Sequence, residues 1–240
     1  MCTAVVCSTA AGYVFAFNRD ELLSRPPALP PSRHGDFVAP IDPEGGGTWI
    51  ASNRHGLTLA ALNVYEAGKR DPLEPVRSRG LLITDLAEVT TLAALATRVR
   101  DHAHLAHTRP FHLLAVAADQ SALDARWDGE DLALTPATLP LLRISAAFDQ
   151  AAVIAARNQE FDLLKDELAT SVHIQETLRT WFSSHAHNGA SRGVCMHREP
   201  FAATVSHTQV AVGARETAMH YVAGPPCQDG PVLDVVLWRS

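Results

Sequence analysis

The sequence predicts an α+β fold in which two antiparallel sheets pack face to face with helices outside them. Strand-like segments occupy both ends of the chain, and two long stretches with the three- and four-residue apolar spacing of helices lie between them. The two kinds of element form separate runs, whereas a doubly wound parallel sheet would show regular strand–helix alternation. At 240 residues the chain is long enough for one large or two small domains, and we expect a single domain over residues 1–240.

The chain opens with a predicted β-hairpin, because residues 1–17 read as two strands joined by a short turn. An antiparallel pair places the start of one strand beside the end of the next, so Cys2 should lie near Arg19 and Asp20. If Met1 is removed, the Cys2 thiol adjoins its own α-amino group, whose ordinary pKa is about 7.7–8.0 and which can act as a base. The hairpin therefore makes Cys2 the candidate nucleophile.

The later elements follow in order. Residues 22–42 contain five prolines, which fix φ and remove donors, so we expect an extended surface crossing rather than a helix or an inner strand. The other predicted elements are a hairpin at 48–65, a helical region from 79 to about 107, a strand at 111–117, hairpin material at 119–134, a helical stretch from about 151 to 182 with a break near 170–173, and strands at 193–197, 203–212 and 217–223.

Composition narrows the class of protein. The formal net charge is −6 and no run of like charges occurs, so nothing predicts binding to nucleic acid or to an anionic membrane surface. The four cysteines, at positions 2, 7, 195 and 227, form no Cys-x-x-Cys pair, which argues against a disulfide scaffold or a structural zinc module. No apolar run approaches the roughly 20 residues of a membrane helix, and the N-terminus lacks a positively charged leader. We therefore expect a cytoplasmic protein without a membrane span.

Several short motifs in the first third of the chain point to a family. They are the cysteine at position 2, Asn18-Arg19-Asp20-Glu21, Ser24-Arg25-Pro26, Gly46-Gly47-Thr48-Trp49, Arg54-His55-Gly56, Ala60-Ala61-Leu62-Asn63 and Ser78-Arg79-Gly80. Together they resemble the NRDE family, which includes Transport and Golgi Organisation protein 2 and is similar to a branch of the N-terminal-nucleophile hydrolases. The resemblance is dense over residues 1–82 and thin afterwards. It implies a four-layer αββα sandwich.

Four residues are candidates for a catalytic role: Cys2, Arg19, Asp20 and Asn63. A guanidinium at Arg19 would favour the Cys2 thiolate, and Asp20 or Glu21 would hold the α-amino group and Arg19 in position. The resemblance implies that Asn63 contributes to an oxyanion hole. The competing interpretation is a small buried cysteine near a structural Arg–Asp ion pair.

Contacts to a substrate or ligand are expected from the two most specific motifs, through Asn18, Glu21, Thr48 and Trp49. The chain also departs from the family near its end. Members tend to have Thr-Arg-Ser-Ser-Thr where this sequence has Thr204-Val205-Ser206-His207-Thr208, so the arginine that would hold a substrate carboxylate is missing.

Two functions of different classes stay open. The first is an amidase-like hydrolase that cleaves a non-peptide C–N bond of a small metabolite and requires no cofactor. The second is a non-catalytic carrier that binds haem or a lipid-like metabolite in the same cleft, since the resemblance links some family members to haem trafficking. Oligomeric state is left open. The histidines near a predicted helix end (102, 104, 107) and in a loop (185, 187) are interpreted as surface residues, and no metal site is expected.

Overall fold

The computed structural model describes residues 1–65, 71–185 and 189–239. Within these ranges the strands are β1 (Cys2–Thr9), β2 (Gly12–Leu22), β3 (Leu29–His34), β4 (Phe37–Ile41), β5 (Ile50–Asn53), β6 (Thr58–Asn63), β7 (Phe111–Val116), β8 (Ala122–Trp127), β9 (Leu132–Ala137), β10 (Leu141–Ser145), β11 (His197–Arg198), β12 (Ala202–Val212), β13 (Glu216–Ala223) and β14 (Val232–Trp238). The helices are α1 (Arg79–Leu86), α2 (Leu92–Arg100), a 3-10 turn (Leu105–His107), α3 (Gln150–Thr170) and α4 (Ile174–Phe182).

The strands form two antiparallel sheets. The first sheet has the order β10-β1-β2-β12-β13-β14, with the short β11 paired to β12, and the second runs from β3 to β9 in sequence order. Helices α1 and α2 pack on the outer face of the second sheet, and α3 and α4 pack on the outer face of the first. The predicted α+β class and the four-layer αββα sandwich are therefore confirmed.

Alternation of side chains along β1 and β2 divides them between two cores. Ala4, Phe15 and Phe17 point into the core between the sheets, where they meet the inner face of the second sheet. Val5 and Ala16, on the opposite face, pack against α3 and α4. Both faces of this central hairpin are thus buried, and its register is determined by packing on two sides.

Several elements differ from the sequence-based expectation. Strand β2 does not end at residue 17 but continues through Leu22, because β12 pairs with it as far as Ala202 opposite Leu22. The proline-rich segment forms β3 and β4, and β4 lies inside the sheet between β3 and β5. Pro40 is tolerated there because it lies beyond the last residues that β4 pairs with β5. The region 79–107 breaks at Thr91, whose side chain caps α2. Strands β3, β4, β10 and β14 were not predicted.

Two motifs that are far apart in the sequence are in backbone contact. Gly47 lies against Gly80 at the start of α1, and the Thr48 amide donates to the Gly80 carbonyl oxygen at 3.1 Å. A Cβ on Gly47 would lie 2.2 Å from the Gly80 carbonyl carbon. Only a glycine permits this approach of α1 to the end of the second sheet. Across the described ranges, no helix combines the length and apolar character needed to cross a bilayer.

We expect Gly47→Ala to destabilise the fold by about 1–3 kcal/mol, because the added methyl group overlaps backbone atoms that cannot rotate away. Gly45→Ala is the matched control, since its Cβ would meet only the side chains of Ser78 (3.2 Å) and Asp42 (3.4 Å). Urea unfolding of both variants measures the difference. Equal stabilities for the two variants would show that the Gly47–Gly80 contact is not a tight one.

Candidate active site

A cavity of about 390 Å³ opens where β1, β2 and the start of α1 meet. Seven of the eight residues that the sequence suggested for catalysis or binding line it: Cys2, Arg19, Asp20, Glu21, Thr48, Trp49 and Asn63. Asn18 does not. The lining also includes residues that the sequence analysis gave no role in catalysis or binding, among them Arg25, Asp42, Arg77, Arg79 and Arg109.

Cys2 and Arg19 are direct partners across the β1–β2 ladder. The predicted neighbourhood of these two residues is therefore confirmed, and both side chains lie on the face that borders the cavity. The ladder continues to the first residue of the chain. The Asp20 amide donates to the Met1 carbonyl oxygen at 3.0 Å, and the Met1 ammonium donates to the Asp20 carbonyl oxygen at 2.9 Å.

The Cys2 thiol is buried, and this burial raises its pKa above the ordinary value for cysteine. The positive charges of the Met1 ammonium and of Arg19 act in the opposite direction, as does the Asp20 backbone amide, but they do not outweigh burial. In the chain that carries Met1, Cys2 is therefore a neutral thiol at neutral pH.

Arg19 is held in place by three neighbours. Its Nη2 donates to Glu21 Oε2 and to Asp42 Oδ2, both at 3.2 Å, and its guanidinium lies 4.6 Å from the centre of the Trp49 ring. Burial would raise the pKa of Asp42, but the hydrogen bond from Arg25 at 2.6 Å, with the charges of Arg19 and Arg25, holds that pKa below its usual value. Glu21 and Asp42, rather than Asp20, orient the arginine.

The Asp20 carboxylate lies on the other face of the sheet from the Cys2 sulfur. It accepts hydrogen bonds from Arg157 at 3.3 and 3.4 Å and from the Thr204 hydroxyl at 2.6 Å, and all three residues are buried. The expected contact between this carboxylate and the α-amino group is thus replaced, for Met1, by the Asp20 backbone carbonyl. The sequence carried one overlooked signal, since Arg157 falls on the apolar stripe of α3 that includes Val153 and Phe161.

Asn63 contributes its side-chain amide to the cavity. Its Nδ2 donates to the Tyr65 hydroxyl at 2.9 Å, and the Met1 ammonium reaches the same hydroxyl at 3.3 Å. The Ser145 hydroxyl fixes the Asn63 backbone through its carbonyl oxygen at 2.6 Å. The Thr48 hydroxyl, in contrast, donates to the Ile50 carbonyl oxygen at 2.8 Å and serves the local turn. Tyr65 is a cavity neighbour that the sequence analysis missed.

The expectation that Asn18 contacts a ligand is corrected. Because β2 extends through residue 22, alternation points Asn18 towards the helices, opposite to Arg19. Its Nδ2 donates to the carbonyl oxygens of Phe182 (2.9 Å) and Val194 (3.0 Å), and its Oδ1 pairs with His207 Nδ1 at 2.8 Å. Asn18 therefore joins β2 to α4 and to β12.

The far wall of the cavity is cationic. Arg79 donates to the Pro110 carbonyl oxygen at 3.1 Å, and no carboxylate among the described residues lies within ion-pair distance of it. Burial lowers the pKa of the Arg79 guanidinium, and the nearby charge of Arg109 adds to that effect. Two like charges that face one cavity with so little neutralisation favour an anionic ligand.

Several solved structures share this fold. The chain superposes on the C2A mutant of conjugated bile acid hydrolase from Clostridium perfringens with a TM-score of 0.61, at 10% identity over 100% of this chain and 97% of that one. Penicillin V acylase from Agrobacterium tumefaciens gives a TM-score of 0.64 at 13% identity, covering 98% and 86% of the two chains. The Caenorhabditis elegans N-acylethanolamine-hydrolyzing acid amidase ortholog gives 0.56 at 12% identity, covering 87% and 92%. The fold is that of the N-terminal-nucleophile hydrolases.

A comparison with protein-family models identifies the family within this fold. The model of the Transport and Golgi organisation 2 family matches residues 1–140, more than half of the chain, and the protein belongs to that family. A search of curated protein sequences found no match.

His207 provides a test of the packing beneath the site. Burial, together with the charges of His220 and Arg179, lowers the pKa of His207 to about 3, whereas an unfolded histidine titrates near 6.5. Between about pH 3 and pH 6.5 the His207 side chain binds a proton in the unfolded chain but not in the folded one. The free energy of unfolding is therefore undiminished above about pH 6.5. It decreases as the pH falls towards about 3, by up to about 1.4 kcal/mol per pH unit from this residue. We expect His207→Gln to flatten that dependence.

Urea unfolding at several pH values between 7 and about 4 measures the slope. His104→Gln is the control, because this histidine is exposed. If His207→Gln and His104→Gln retain the same slope as the unmodified chain, His207 is not buried in its neutral form.

Proposed function

We propose that this protein is an N-terminal-nucleophile amide hydrolase that uses Cys2 to cleave a small N-acyl amide carrying an anionic group. The observation that carries the proposal is that Cys2 lines a cavity together with Asn63 and with Arg19, its partner across the β1–β2 ladder. Cys7, on the other face of the same strand, packs in the apolar core beneath α3 and α4, whereas Cys2 lies at the edge of the inter-sheet core and also lines this cavity.

Removal of Met1 is the activating step of this proposal. Met1 lies between two cavities and lines both, the one already described and a more apolar one of about 240 Å³ beside Tyr65 and Phe148. Loss of this residue would merge the cavities and expose the Cys2 α-amino group next to its own thiol. The freed amine has an ordinary pKa of about 7.7–8.0 and can accept the thiol proton at neutral pH.

The reaction then follows from the groups at hand. The α-amino group takes the proton from the Cys2 thiol while the sulfur attacks the amide carbon, and the Asn63 amide donates to the developing oxyanion. Collapse of the tetrahedral intermediate breaks the C–N bond, and the proton on the α-amino group passes to the departing amine. The thioester that remains is hydrolysed by a water molecule activated by the same amino group, which regenerates the thiol and releases the acid.

The charge of the cavity supports the substrate class. Of the residues that the structure describes, five arginines and three acidic residues line it, and the acidic side chains are engaged by Arg19, Arg25 and Arg157. Arg79 and Arg109 have no acidic partner among these described residues and can face a ligand. A substrate carboxylate bound by these two guanidiniums would gain charge-assisted hydrogen bonds, which would compensate for the arginine missing at Val205.

The catalytic assignment predicts that Cys2→Ala abolishes the amide hydrolysis that the purified protein shows towards penicillin V or a glycine-conjugated bile acid, two amides that carry a carboxylate. Cys7→Ala is the matched control, because Cys7 lies on the same strand but points away from the cavity, and it should retain activity. Intact mass must show loss of Met1 in the active preparation. An active preparation that retains Met1, or an active Cys2→Ala variant, contradicts the assignment.

The substrate class predicts a preference between two matched compounds, an N-acylglycine and the corresponding N-acylglycinamide. We expect the carboxylate compound to have a KM lower by at least about tenfold, the equivalent of one charged hydrogen bond. Arg79→Gln should remove the preference with little change in kcat, whereas Arg54→Gln, at a surface ion pair with Asp36, should leave it intact. A preference that survives Arg79→Gln would reject the anionic-substrate assignment while leaving the role of Cys2 standing.

The alternative function, a carrier for haem or a lipid-like metabolite, has less support. Pockets for such ligands are mostly apolar with a few polar groups, whereas charged residues dominate the larger cavity. The more apolar cavity beside Met1 is the place where such a ligand would fit. Haem titration followed by absorbance, together with an absence of hydrolysis, would favour the carrier.

A further inference from the structure

A cluster of two histidines and two cysteines lies outside the cavity, on the helix side of the first sheet. It consists of His185, Cys195, His197 and Cys227, and one ligand atom from each lies within 4.8 Å of all the others. The residues come from three segments: His185 from the chain after α4, Cys195 and His197 from the approach to β11 and its first residue, and Cys227 from the loop between β13 and β14. The sequence argued against a zinc module because it has no Cys-x-x-Cys pair. The two histidines and two cysteines of this cluster come together only in the folded chain. His187 lies outside the described residues.

We propose that this cluster binds one Zn²⁺ ion as a structural Cys₂His₂ site. Thiolate and neutral imidazole are the ligands that Zn²⁺ prefers, and bond lengths of about 2.0–2.3 Å in a tetrahedron put ligand atoms about 3.3–3.8 Å apart. His197 Nε2 lies 3.2 Å from the Cys227 sulfur and 3.8 Å from the Cys195 sulfur. The cluster therefore needs little movement to close around the ion.

Both imidazoles are oriented by a partner on their other nitrogen. His185 Nδ1 lies 2.9 Å from the Cys195 carbonyl oxygen, and His197 Nδ1 lies 2.8 Å from Glu199 Oε1. In each ring the proton is therefore held on Nδ1, which leaves the Nε2 lone pair for the metal. Zinc-bound histidines almost always carry such a carbonyl or carboxylate partner. Four protein ligands leave no open position, so the site is structural rather than catalytic.

The bound ion would brace the network behind the candidate active site. The segment between the two central ligands holds Met196, whose amide donates to the Thr204 hydroxyl at 2.8 Å, and that hydroxyl donates to Asp20. Three residues before Met196, the Gly193 carbonyl oxygen accepts a hydrogen bond from Arg157 at 2.7 Å. The ion would thus join the end of α4 and the β13–β14 loop to the segment that holds both partners of Asp20.

Titration of the reduced, chelator-treated protein with Zn²⁺ against a chromophoric competitor tests this proposal. We expect one Zn²⁺ per chain, and Co²⁺ in its place should give the visible absorption of a tetrahedral thiolate site. Cys227→Ser and His197→Asn should weaken binding by at least tenfold, and Glu199→Gln should weaken it by about 10–100-fold through loss of the carboxylate that orients His197. Cys7→Ala and His220→Asn should bind like the unmodified chain, since His220 pairs with Asp234 outside the cluster.

A second measurement does not depend on whether the variants fold. In the unmodified protein, Zn²⁺ should slow alkylation of Cys227 by at least about tenfold, and chelator should restore the rate, as followed by mass spectrometry of the modified peptide. The proposal is overturned if the reduced chain binds less than one equivalent with no loss on Cys227→Ser, if alkylation of Cys227 ignores Zn²⁺, or if Cys195 and Cys227 are found joined in a disulfide in the protein purified without reductant.

Discussion

The register of the β1–β2 ladder is the constraint on which the rest of the molecule depends. Cys2 lies opposite Arg19, and the two-residue period of strands places both on the cavity face while Asn18 and Asp20 face the helices. A slip of one residue would exchange the two sets. The slip is prevented because apolar side chains on both faces, among them Phe17 inside and Ala16 outside, would lose their cores. Apolar packing on both faces of the hairpin, rather than the polar groups themselves, therefore determines which side chains face the cavity.

The sequence revealed the part of the site that local pairing builds. A short turn fixes which ends of a hairpin meet, so the contact of Cys2 with Arg19 followed from residues 1–21 alone. The position of Asn18 did not, because its side chain could be assigned to a face only once β2 was known to reach Leu22. That extension comes from pairing with β12, near the other end of the chain. The error over Asn18 is thus an error about a long-range contact.

The other omissions have the same origin. Strand β10 pairs with β1 and strand β4 tolerates a proline because of neighbours that the local pattern does not identify. Asp42 and Arg157 contact predicted site residues from 23 and 137 positions away in the sequence, and Tyr65 reaches Met1 from 64 positions away. Arg157 is an exception, because a charged residue on the apolar stripe of a helix predicts that the side chain is buried against a partner. The break at Thr91 was likewise visible as a helix cap.

The buried Asp20–Arg157 pair explains how a site at a chain terminus can be rigid. Arg157 donates to Asp20, to the Thr3 hydroxyl and to the carbonyl oxygens of Arg192 and Gly193, so the charges are both paired and hydrogen-bonded. Loss of one partner of such a pair typically costs about 3–5 kcal/mol, because the other charge stays buried. Arg157 thus holds Thr3 on β1 and Asp20 on β2, and these residues are adjacent in sequence to Cys2 and Arg19. In the proposed active form without Met1, the ladder would lose the bonds between Met1 and Asp20, and these contacts from the helix side would keep Cys2 opposite Arg19.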